Sequence, residues 1–82
     1  MSYRVTWTDA AEHGLEGAPP ADRAGIRSTV ERGLSTDPYG CGSTPVNPRD
    51  PDRRDASFGR VVVRYEISGG VTTVTVLRCA GW

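Results

Sequence analysis

Lysine is absent: all ten basic residues are arginine, and ten acidic residues bring the formal net charge to zero. This balance excludes the global attraction that draws strongly basic proteins to nucleic acid or anionic membrane. Arginine without lysine suits bidentate phosphate contacts and suits a GC-rich coding sequence equally, so composition does not decide between them. The one histidine, His13, reads as a helix-surface residue rather than a ligand, and no metal or cofactor is expected. Two cysteines are too few for a disulfide framework. Cys41, in a Gly-Cys-Gly loop, and Cys79, in a strand, are expected as free thiols. No hydrophobic run approaches the length of a membrane span. The opening Met1-Ser2-Tyr3-Arg4-Val5 lacks the apolar run of a signal peptide, which predicts a cytoplasmic protein. Repeats and low-complexity tracts are missing as well. The 82 residues therefore predict one small domain over 1–82.

What the chain does have is a β-hairpin signature between Arg60 and Ala80. Val61, Val62, Val63, Tyr65 and Ile67, then Val71 to Val76, are mostly β-branched or aromatic residues suited to a pleated surface. Ser68-Gly69-Gly70 between them supplies the positive φ angles of a tight turn. With Gly69 and Gly70 as the central turn residues, Tyr65 is expected opposite Val74 and Val63 opposite Val76. The apolar side chains then share one face. Arg60, Val62, Arg64, Glu66, Thr73, Thr75, Leu77 and Cys79 are expected on the other, and that mixed face is the place to look for function.

Upstream, Tyr3, Val5 and Trp7 alternate with Arg4 and Thr6, as in a half-buried strand. Thr8 or Asp9 is placed to cap a first helix whose stripe of Ala11, Leu15 and Ala18 is thin and whose Gly14 and Gly17 weaken it. Pro19-Pro20 is expected to end that helix and to start a second, over about Pro20 to Ser35. There Ile26, Val30 and Leu34 recur at helical spacing. Residues 37–52, with Pro38, Gly40, Gly42, Pro45, Pro48 and Pro51, read as a loop. Residues 53–58 then read as a further edge strand, ended by Gly59.

These strings resemble the RelE/ParE superfamily of bacterial toxins from type II toxin–antitoxin systems, over nearly the whole chain. The family's opening strand corresponds to Tyr3-Arg4-Val5-Thr6-Trp7-Thr8, and its second helix to Arg23, Ile26, Val30 and Leu34. Asp37-Pro38-Tyr39, the central strand Val62 to Ile67 and the last strand Val74 to Gly81 complete the match. The resemblance implies an α+β domain, β-α-α-β-β-β, with a helical hairpin on one face of a small, mostly antiparallel twisted sheet. It implies a cognate antitoxin as partner. Two modes of action come with it: cleavage of messenger RNA on the ribosome, or non-catalytic inhibition of a protein such as DNA gyrase.

For ribonuclease action the candidate catalytic residues are Arg60 and Arg64, on the open sheet face. The alternative is a solvated face on which Arg64 pairs with Glu66 or a threonine. The family's central-strand arginine falls near Val62, and no general acid or base is evident, which favours binding over chemistry. Arg53, Arg54, Arg78 and Trp82 are the candidates for substrate or partner contacts. With the hairpin register above, Arg78 is expected on the helix-facing side. Tyr65 and Trp7 are expected in the core, and Cys79 as a small buried hydrophobe. Val62, Leu77 and Cys79 predict an exposed patch that a partner, or a second copy in a homodimer, would cover.

Overall fold

A computed structural model describes residues 2–81. Strand β1 (Arg4–Trp7) leads into helices α1 (Asp9–Leu15) and α2 (Pro20–Thr36). Four strands follow: β2 (Thr44–Asn47), β3 (Asp50–Phe58), β4 (Val61–Ser68) and β5 (Thr73–Ala80). They form one five-stranded sheet in the order β1-β5-β4-β3-β2. Only the β1–β5 pair is parallel. The expected α+β architecture is therefore present, with one strand more than the residue pattern suggested.

The helices cover one face of the sheet. Ala11 of α1 and Val30 and Leu34 of α2 pack with Val63, Tyr65, Ile67, Val74 and Val76, all buried. Tyr3, Val5, Trp7 and Ile26 pack half-buried against this core. The alternation in β1 and the four-residue spacing in α2 both arise because each element buries one side only. Trp7 is held from two directions. Its ring Nε1 donates to Glu31 at 3.0 Å, and the Arg27 guanidinium lies 4.7 Å from its centroid. Arg27 also pairs with Glu12 at 2.6 Å, so β1, α1 and α2 are fastened together by side chains.

Thr8 caps α1 as expected: its hydroxyl accepts from the Ala11 amide at 3.2 Å and donates to the Val76 carbonyl at 2.9 Å. The helix ends at Leu15, well before Pro19. Short-range bonds from Gly17 to Gly14 and from Ala18 to Leu15 tighten the chain there, and Arg23 donates to the carbonyls of Glu16 and Ala18. Those bonds satisfy acceptors that a continuing helix would have used. Gly14 has a reason beyond propensity. A Cβ at that position would overlap the Cys79 backbone carbonyl, so only glycine lets α1 lie this close to β5.

The hairpin differs from expectation in its turn and in its far end. Its loop is Gly69 to Thr72, a short 3₁₀ turn closed by Thr72 in the left-handed region at φ 49°. Ile67 therefore faces Val74, and Tyr65 faces Val76. The slide is two residues, which preserves the face of every side chain, so the apolar set still reaches the core. Beyond Val76 the register changes again: Arg64 opposes Arg78 and Val63 opposes Cys79, leaving Leu77 as an extra residue. This bulge reverses the alternation. Leu77 is half-buried and Arg78 is exposed, contrary to the expected placing of both, while Cys79 is the small buried hydrophobe expected but on the helix side rather than the open face. Of the anticipated apolar patch only Val62 is exposed.

The stretch read as a loop holds a strand. β2 pairs antiparallel with β3 through Thr44–Asp55, Pro45–Arg54 and Asn47–Asp50, with an irregularity after Pro45. β3 begins at Asp50 and lies inside the sheet, and β2 takes the edge. Proline is tolerated there because an edge strand has one side with no ladder to complete. The Asn47 side chain accepts from the Arg49 amide at 3.0 Å and sets the tight connection between the two strands.

Candidate functional site

The sheet face opposite the helices is uncovered. At its centre Asp55, Arg64 and Arg78 lie side by side on β3, β4 and β5. With Val62 and Ala80 they line a shallow hollow of about 220 Å³. Arg64 donates from Nε to Asp55 Oδ1 at 2.9 Å and from a terminal nitrogen to Oδ2 at 3.1 Å. This two-pronged contact fixes both planes. It also holds the Arg64 proton more tightly than usual, through the hydrogen bond first and the attraction of the carboxylate second. Arg64 is therefore a fixed cation and no proton donor. Its partner is Asp55, not the Glu66 or threonine considered from the sequence. Glu66 is taken by Arg53 at 3.0 Å.

Arg78 reaches this face because of the bulge at Leu77. Arg60 does not join it: it lies with Gly59 in the turn between β3 and β4, exposed, and is not among the residues lining the hollow. Gly59 allows that turn at φ 66°. The pair that the fold brings together on the open face is thus Arg64 with Arg78. Reading a bulge was the missing step, and the only signal for it was Leu77, an apolar residue out of phase with Val74 and Val76. Trp82 lies outside the described residues.

Arg54 is spent on its own chain. It donates to the Ser43 hydroxyl at 2.7 Å, to the Pro51 carbonyl at 3.0 Å and to the Ser43 carbonyl at 3.3 Å, and it lies 5.9 Å from the Tyr39 ring centroid. Tyr39 donates to Asp52 at 2.7 Å, and that bond, with lesser help from burial, pushes its hydroxyl up to about 12. This cluster ties residues 39–43 to β3. Tyr65 is buried and donates to the Pro38 carbonyl from the other side. Burial, with a contact from Cys41 and against a hydrogen bond from Ser43, pushes its hydroxyl up to about 12.

Groups able to exchange a proton near neutrality are scarce. His13 is 86% exposed on α1, 3.7 Å from Glu16, and remote from the open face. Cys41 and Cys79 are free thiols, and burial raises the pKa of Cys79. Among the described residues no cluster of histidine, cysteine or acid has the makings of a metal site. No helix among them is long and apolar enough to cross a membrane.

Comparison with solved structures places this architecture. A chain of the toxin–antitoxin complex RelBE2 from Mycobacterium tuberculosis is 26% identical, with both chains covered completely and a TM-score of 0.82. The archaeal RelE–RelB complex from Pyrococcus horikoshii OT3 matches at 19% identity over 99% of this chain and 96% of that one, TM-score 0.73. A mutant of the E. coli toxin RelE in the free state matches at 12% identity over 99% and 84%, TM-score 0.74. No protein-family profile matches the sequence. No curated protein sequence matches it either. The fold is that of the RelE toxins, and the resemblance to the RelE/ParE superfamily drawn from the sequence strings stands.

Proposed function

We propose that this chain is the toxin component of a cytoplasmic type II toxin–antitoxin pair, held inactive by a cognate antitoxin, and that it acts by binding a protein target, such as DNA gyrase, through its open sheet face. The full-length likeness to a chain of an antitoxin-bound complex supports the toxin reading. The state of Arg64 supports binding over cleavage: the strand arginine best placed for catalysis gives two donors to Asp55. Cutting a phosphodiester needs a base to take the 2′-hydroxyl proton and an acid to protonate the leaving oxygen. The bases on this face are the carboxylates of Asp55 and Glu66, each already paired to an arginine, and among the described residues no acid stands beside them. Without the antitoxin, pairing of two copies through the uncovered face is the expected fallback. A monomer by light scattering at high concentration counts against that fallback.

The deciding experiment is expression of this chain alone in a bacterial host, with primer extension across several messages. Growth arrest with intact messages is expected. Codon-positioned cuts that vanish in Arg64→Ala would instead establish ribosome-dependent messenger RNA cleavage. Unimpeded growth would refute the toxin reading.

A further inference from the structure

We infer that Arg64 and Arg78 form a carboxylate-binding site on the open sheet face, that Asp55 competes for it from within the chain, and that its occupant is an acidic side chain in an otherwise apolar segment of a partner protein. The inference rests on the binding reading above and names the chemistry of its surface. Two guanidinium side chains stand directly opposite one another across β4 and β5. Like charges so placed repel and weaken the sheet. The arrangement is no accident of alternation, because it exists only through the bulge at Leu77. Among the described residues Arg78 has no ion-pair partner, while Arg64 has one. Two cations thus lie beside a single carboxylate, which pairs with Arg64 alone. A second carboxylate would complete the neutralisation.

The surroundings select the source of that carboxylate. The hollow of about 220 Å³ accepts a side chain, and its remaining lining, Val62 and Ala80, is apolar, with Val62 49% exposed. An acidic residue flanked by apolar ones would fill both parts together. A nucleic acid strand fits less well. Single strands are held by a run of cations and by aromatic rings on which bases stack. Across β1, β3, β4 and β5 the open face offers Arg4, Arg53, Arg64 and Arg78 against Asp55 and Glu66, an excess of only two positive charges. Tyr3, Trp7, Phe58 and Tyr65 all pack with the core, and Tyr39 lies under Arg54, so among the described residues this face carries no aromatic ring.

Asp55 makes the site self-limiting. A partner must displace it from Arg64 or share the guanidinium with it, so removing its charge strengthens binding. The test uses the full chain, isotope-labelled, titrated with short acetylated peptides of alternating leucine and glutamate, their glutamine counterparts, and oligouridine. Saturable shifts at Val62, Arg64, Arg78 and Ala80 with the glutamate peptide alone are expected. Asp55→Asn should tighten that binding by about threefold to fivefold, the worth of one partly exposed ion pair. Arg78→Ala should abolish the binding while the amide spectrum stays that of a folded protein. Equal binding of the glutamine peptide, or no change in Asp55→Asn, would overturn the inference. So would oligouridine shifting these signals when the peptide does not. Peptide binding by a chain that fails to arrest growth would remove the toxin reading alone, and arrest without peptide binding would remove only this site.

Discussion

Replacing Gly14 by alanine sets helix propensity against packing. In an exposed helix the change gains about 1 kcal/mol, because glycine loses more backbone freedom on folding. Here the new methyl group would overlap the carbonyl of Cys79, a backbone atom of β5 that no rotamer change can move aside. Overpacking of this kind costs about 1 to 3 kcal/mol, and against rigid backbone the upper part of that range applies. A net loss of about 2 kcal/mol follows, or roughly 10 °C in Tm for a domain of this size. Urea unfolding followed through the half-buried Trp7 measures it, with a lowered midpoint and an unchanged slope expected. Gly25→Ala on α2 is the control. A Cβ there meets nothing within 4 Å, so it should stabilise by about 0.5 to 1 kcal/mol. If Gly14→Ala stabilises as much as Gly25→Ala, the close approach of α1 to β5 is wrong.

Tyr65→Phe should cost about 1 to 2 kcal/mol at neutral pH by leaving the Pro38 carbonyl without its donor, as read from chemical denaturation. The same variant should flatten the alkaline profile. Tyr65 keeps its proton up to about 12 when folded and ionises near 10 when unfolded, so its stabilising contribution is complete below about 10 and fades as pH rises through about 12. Some slope should remain, because Tyr39 is also held up to about 12 by Asp52. Thr8→Ala loses the cap of α1 and its bond to β5, and a loss of about 1 to 2 kcal/mol is expected in thermal unfolding. Arg54→Ala should speed amide exchange in residues 39–43 and leave β4 protected, and equal speeding in both would refute its role as a local tether.

Patterning carried the residues that bury a face. Val30 and Leu34, the Tyr3-Val5-Trp7 alternation and the valines of β4 follow from periods of 3.6 and 2, which sequence records directly. Thr8 was legible because a cap depends on one residue and its immediate neighbours. The exact turn was not, yet the two-residue slide did no harm, since side-chain direction repeats with that period. β2 was hidden by its proline: whether Pro45 sits at an edge depends on what pairs beside it, which the sequence of the segment does not contain. The candidate site was decided by tertiary structure above all. Arg64 could be placed on the open face from alternation, but its pairing with Asp55 rather than Glu66 required the β3–β4 register. Arg78 required a bulge eight residues beyond the turn's first glycine. The sequence by itself therefore determined every element but β2, the buried faces up to the bulge in β5, and the family they resemble. Which charges meet on the uncovered face was settled by strand register, a property of two segments together that neither segment encodes alone.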